Sequence, residues 1–266
     1  MTPTTTTESR HEAAIAARVA AGGLALYTVT RILGVAFASA SMASSVSQAI
    51  AAEWGAGRLG VTWSDPAEPL PSTGAMAKRA AIGAACGAAA AGVLVGLALA
   101  TRAAILDPPQ GPPSWSLFLL GLLGAGLTAM RDELILHGIT LRALGSLASP
   151  VGRALACGVT SAAAAAGDPS VTPRLVAAHF LLGSALGALW VRDRGAWLAW
   201  GAHTSFLFVL GTVFGGGAGQ LRIAQGSFGG GDAGILGGTA ALVALAPVFL
   251  VALGAVRRKV RHDGHT

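Results

Sequence analysis

The sequence predicts an all-α fold, a polytopic integral membrane bundle of about seven transmembrane helices. Three observations carry this: 53% of the 266 residues are hydrophobic, 11% are charged, and the apolar residues fall in long runs. Soluble domains carry about 25% charged residues, so 18 Lys+Arg and 12 Asp+Glu leave too few to clothe a water-soluble surface. The same composition excludes intrinsic disorder. The formal net charge of +6 does not indicate a nucleic-acid partner, because the positive charges stand singly or in small groups between apolar runs.

Each element follows from its run. Residues 1–13 are expected to form a polar, Thr-rich disordered tail, and residues 14–113 the N-terminal transmembrane helices and loops. Crossing a hydrocarbon core of about 30 Å takes about 20 apolar residues. Val19–Thr30 and Ile32–Ala52 together predict one retained spanning helix within 19–52, with Arg31 facing protein or snorkelling. Arg18 and Arg31 argue against reading it as a cleaved signal peptide. Ala80–Thr101 predicts the second helix. Ser114–Met130 predicts the third, whose pattern runs on past Arg131-Asp132-Glu133 towards Leu147. Ala154–Gly167 is a short fourth helix, followed by Leu175–Val191, Ala196–Phe214 and Ala233–Val256. Gly215–Gly238 holds 11 glycines and reads as a flexible loop. The only lysines are Lys78 and Lys259, neither in a GK[ST] setting, which excludes a P-loop. Cys86 and Cys157 lie in apolar runs without metal or disulfide spacing and read as small core residues.

Lys/Arg placement sets the expected topology. The basic tail, residues 257–266, is expected in the cytoplasm. Seven helices counted back from it put Arg58, Lys78, Arg79, Arg131, Arg142, Arg153, Arg192 and Arg194 on that side, and the N-terminus with Arg10 and Arg18 outside. Trp190, Trp197 and Trp200 bracket the Arg192-Asp193-Arg194 turn as interfacial anchors.

Ionisable residues inside spans are costly, so each is a functional candidate. On a helix, Glu133, His137 and Thr140 form one stripe, with Asp132 at its edge. A carboxylate and an imidazole one turn apart can share a water or a metal, or pass a proton. The alternative is an interfacial cluster, with Arg131, Asp132 and Glu133 marking the cytoplasmic end of the third helix. His203 lies about 10 Å inside the cytoplasmic end of its helix, at a depth that can meet this cluster. His179 lies nearer the opposite surface and reads as a packing residue.

Asp132-Glu133-x-x-x-His137-Gly138 resembles the EExxxRG motif of the CAAX protease and bacteriocin-processing (CPBP, or Abi) family, intramembrane proteases related to type II CAAX prenyl endopeptidases. His203 matches the leading histidine of that family's HxxxN/B motif. Gly183-x-x-x-Gly187 and the turn from Trp190 to Trp197 resemble its glycine-spaced helix and basic turn, so residues 114–256 form the CPBP-like membrane domain. The resemblance implies an intramembrane peptidase. Asp132, Glu133, His137 and His203 would be the catalytic group, and His137 and His203 ligands to a divalent metal such as zinc. It departs from the family at four positions: Asp132 for the first glutamate, His137 for the arginine, no histidine within Ala162–Gly167, and Leu207 for the asparagine, though Thr204 and Ser205 offer hydroxyls nearby. Either His137 replaces the missing histidine, or this is a member without protease activity.

The expected function is therefore peptide-bond hydrolysis in the plasma membrane, with the lipid bilayer and a peptide or membrane-protein substrate as partners. The alternative is a catalytically inactive scaffold, immunity factor or partner of a membrane complex. A proton-relay transporter lacks support, because repeats and a Pro-broken helix pair are not evident.

Overall fold

Long Ala-, Leu- and Val-rich runs favour helices because a helix satisfies its backbone N–H and C=O groups internally, which an apolar surrounding requires. The computed structural model describes residues 4–65, 69–109, 111–112, 114–145, 147–217, 219–224 and 226–263. Among these, the helices are α1 (Thr4–Ala36), α2 (Ser41–Arg58), α3 (Thr73–Ala100), α4 (Trp115–Asp132), α5 (Ile139–Leu144), α6 (Pro150–Ala165), α7 (Pro173–Asp193), α8 (Trp197–Phe208) and α9 (Thr239–Asp263). A π-helical segment, Glu133–Gly138, joins α4 to α5 in one continuous rod, and a second, Val209–Val213, extends α8. Four of the described helices are long and apolar enough to cross a membrane: Arg10–Ala36, Thr73–Ala100, Pro173–Asp193 and Thr239–Arg258. The chain is an all-α integral membrane protein.

The N-terminal region departs from expectation twice. Residues 4–13 are helical and continue into α1, and residues 1–3 lie outside the described residues. The single helix expected within 19–52 is broken at residues 37–40 into the antiparallel pair α1 and α2. Glycines set their close approach. A Cβ on Gly22 would stand 2.6 Å from Leu59 Cδ2, and one on Gly55 2.5 Å from Leu26 Cδ1. This pairing carries Arg10 and Arg18 to the same end as Arg58, against the expected outside N-terminus. Val256 of α9 shares a cavity with Gly60 and Val61, so the last helix ends on that side too. We call it the basic end.

At the basic end, Ala196 N–H donates to the Trp63 carbonyl (2.9 Å) and Asp65 N–H to the Arg194 carbonyl (2.8 Å). Arg79 pairs with Asp193 at 3.5 Å. The tryptophans turn inward. Trp63 packs on Trp197 with centroids 5.0 Å apart, Trp200 Nε1 donates to the Gly126 carbonyl, and Trp190 is 7% exposed. At the far end, the glycine-rich segment is ordered in part: β2 (Gln220–Ile223) pairs antiparallel with β1 (Ala104–Asp107), Ala104 opposite Ile223.

The core is built at glycine contacts. Gly83 and Gly87 of α3 meet the Leu198 and Ala202 carbonyls of α8, and Gly183 and Gly187 of α7 meet Ser161 and Cys157 of α6. A Cβ at any of these positions would overlap its neighbour, so the backbones come together only without one. Cys157 is buried as expected, whereas Cys86 is exposed on α3.

Candidate active site

The rod from Trp115 to Leu144 carries the acidic segment through its middle. Glu133 stands 11 residues before Leu144, about 16 Å from the basic end at 1.5 Å per residue. The rod continues past Arg131, Asp132 and Glu133, so the cluster does not mark its end. Arg131 reaches sideways, its Nη1 donating to Gln48 Oε1 of α2 at 2.6 Å. Its Nε and Nη2 hold Asp132 Oδ1, each at 2.7 Å. Gln48 is fixed in turn by donating to Ser44 Oγ at 2.8 Å.

Glu133 is fully buried. Its Oε1 lies 2.9 Å from His203 Nδ1 on α8, and its Oε2 lies 2.9 Å from His137 Nδ1. Trp190 Nε1 on α7 donates to the same Oε2. An ionised carboxylate only accepts, so with Glu133 charged both imidazoles donate through Nδ1. In the neutral ring His137 Nε2 then accepts from Ser161 Oγ of α6 at 3.0 Å. Two elements outside the rod, α7 and α8, thus reach the carboxylate directly, and α6 meets it through His137. Their closeness depends on Gly138, where a Cβ would stand 2.6 Å from Val61 Cγ1 and 3.3 Å from the Trp190 ring.

The π-helical turn between Glu133 and Gly138 replaces the regular helix expected here. Such turns concentrate at functional sites because they re-aim side chains. The Leu136 carbonyl within it accepts the Thr140 and Thr160 hydroxyls, each at 2.7 Å. Thr140 takes no part in the hydrogen bonds to Glu133. It lines a separate apolar groove of about 610 Å³ with Tyr27, Ile139 and Thr160.

Of the four candidates, Glu133, His137 and His203 come together, while Asp132 is held by Arg131 beside them. On α6, where the resemblance places the missing histidine, the residue that meets His137 is Ser161. Ser205 bonds the Ala202 carbonyl, and Thr204 Oγ1 is buried without a partner among the described residues. His179 is half-buried and takes no part in the hydrogen bonds to Glu133. Sequence reasoning missed Trp190 and Ser161. Nothing in their local sequence separates an anchor tryptophan or a helix serine from a residue that holds a carboxylate.

The metal expectation does not fit these residues. Both histidines turn Nδ1 to Glu133, and His137 Nε2 is taken by Ser161. Among the described residues no group of three or more His, Cys, Asp or Glu side chains is arranged to hold a metal ion. A catalytic zinc takes three protein ligands with free lone pairs.

The fold and site define a polytopic helical membrane protein with a buried Glu/His centre midway along one helical rod. Residues 113–215 match the family model for type II CAAX prenyl endopeptidase Rce1-like proteins. Over this segment the chain is similar to that family, in keeping with the CAAX protease resemblance of its motifs. That segment contains Glu133, His137, Ser161, Trp190 and His203. Neither the curated proteins nor the solved structures gave a match to the chain.

Proposed function

We propose that the chain is a CAAX protease-like intramembrane peptidase that hydrolyses a peptide bond with water activated at Glu133. The supporting observation is a fully buried carboxylate held by two histidines and one indole. A carboxylate offers about four lone-pair sites, so three donors leave one to accept from a water. Glu133 takes a proton from that water, and the water oxygen bonds to the substrate carbonyl carbon. The C–N bond then breaks as Glu133 returns the proton to the leaving nitrogen. His203 and His137 orient the carboxylate and offset the charge that develops beside it. Asp132, tied to Arg131, receives no proton-transfer role. The substrate is a peptide segment reaching the basic half of the bilayer. The basic end, where α1 begins and α9 finishes, faces the cytoplasm across a plasma membrane, in line with the positive-inside bias.

The second reading, an inactive scaffold, immunity factor or complex partner, is favoured by the closed state of the same cluster. Glu133 is fully buried, and Ser161 occupies the α6 side where a histidine is expected.

Purified protein in lipid bilayers, offered a library of membrane-anchored quenched-fluorescence peptides, distinguishes the two. The peptidase reading requires turnover that falls by about a thousandfold or more in Glu133→Ala and His203→Ala, with a smaller loss in Asp132→Ala. Equal turnover in all three variants rules out this site. A parent protein inert against the whole library favours the second reading.

A further inference from the structure

The loops at the basic end enclose a cavity of about 490 Å³, within the range of about 300–1,000 Å³ usual for small-ligand sites. Its charged lining is Arg142, Arg153, Arg192, Arg194 and Asp65, four positive charges against one negative. Asp65, Arg192 and Arg194 have interactions of their own within the protein, so the case rests on the other two arginines. Arg153 keeps its Nε buried with no hydrogen-bond partner among the described residues. Arg142 stands over Gly60, its Nε 3.4 Å from where a Cβ would lie, at a backbone φ of +76° that favours glycine. The first residue of α6, Pro150, also borders the cavity, which adds the positive end of that helix dipole.

Depth narrows the ligand class. The cavity lies where α2, α5 and α7 end and α6 begins, the end of the bundle that the proposed function sets at the membrane surface. Guanidinium groups bind phosphate oxygens in pairs, and basic pockets between helix ends receive anionic headgroups. We infer that this cavity binds the phosphate of an anionic phospholipid headgroup. The site is distinct from the peptidase centre, although Trp190 and Gly138 line the cavity and Trp190 also bonds Glu133. A bound lipid sits one side chain away from the buried carboxylate.

The test measures binding of phosphatidylglycerol, phosphatidylcholine and inorganic phosphate to the full-length protein in detergent, by thermal shift and native mass spectrometry. Phosphatidylglycerol is expected to bind and raise the melting temperature, and phosphatidylcholine to do neither. R142Q/R153Q is expected to weaken phosphatidylglycerol binding about tenfold, and R142K/R153K to retain most of it. R257Q/R258Q, at exposed positions of α9 outside the cavity, is expected to bind as the parent does. Arg142 is exposed, so R142Q alone keeps the fold and carries the test if the double variant does not. Equal binding of the two lipids, parent-like binding by R142Q, or equal loss in R257Q/R258Q overturns the inference. Saturable binding of inorganic phosphate without phosphatidylglycerol binding overturns the assignment to a lipid.

Discussion

The bond from Trp190 to Glu133 ties α7 to the rod of α4 and α5 in the middle of the bundle, and its worth can be measured. Trp190→Phe keeps most of the ring but removes the one N–H that reaches Glu133 Oε2. A hydrogen bond to a charged group contributes about 1.5–3 kcal/mol, and the smaller ring leaves space costing about 1 kcal/mol more. The single variant is therefore expected to lose about 2.5–4 kcal/mol. Glu133→Ala strips the acceptor from three buried donors, and breaking such a buried charged pair costs about 3–5 kcal/mol. In the double variant the indole donor is no longer left without an acceptor. The two effects should then fall short of their sum by about 1.5–3 kcal/mol. Equilibrium unfolding of the four proteins in mixed micelles, followed by circular dichroism, gives this coupling. A coupling below about 0.5 kcal/mol, the range of additive distant sites, would refute the arrangement of donors around Glu133.

Other outcomes follow from neighbouring contacts. Ser161→Ala removes the partner of His137 Nε2 and should cost about 0.5–1.5 kcal/mol in the same unfolding assay; an unchanged midpoint would show that the ring does not rest on α6. Arg131→Ala frees Asp132 and Gln48 together, an expected loss of about 1–2 kcal/mol, with Gln48→Ala giving a smaller loss that is not additive with it. Gly87→Leu drives a side chain into the Ala202 carbonyl of α8 and should cost about 3 kcal/mol or more, seen as poor recovery of folded protein from membranes. The α1–α2 hairpin brings the start of α1 to the end of the bundle where α9 finishes, so tags at the N- and C-termini should show the same protease accessibility in sealed vesicles. Opposite accessibility would restore the topology with one helix fewer.

Composition and run length determined the class of this protein. A chain with 11% charge and repeated apolar runs of about 20 residues folds as helices in a bilayer, because a run of that length spans it as one helix whose backbone groups are satisfied within the run. The acidic segment and His203 were legible for the same reason, since so few ionisable residues interrupt the apolar runs. Two features were not. The break at residues 37–40 carries no proline and little polarity to mark it, and only the packing of Gly22 and Gly55 against Leu59 and Leu26 makes two helices of one run. The grouping around Glu133 depends on residues distant in sequence, Ser161, Trp190 and His203, brought together by glycine-lined crossings and a π turn. A period of 3.6 residues put Thr140 in the stripe, whereas it lines the apolar groove beside Tyr27 and Thr160, apart from Glu133 and His137. Sequence fixes which polar groups must find partners in the membrane; which partners they find depends on how closely the helices can approach, and only the tertiary structure decided that.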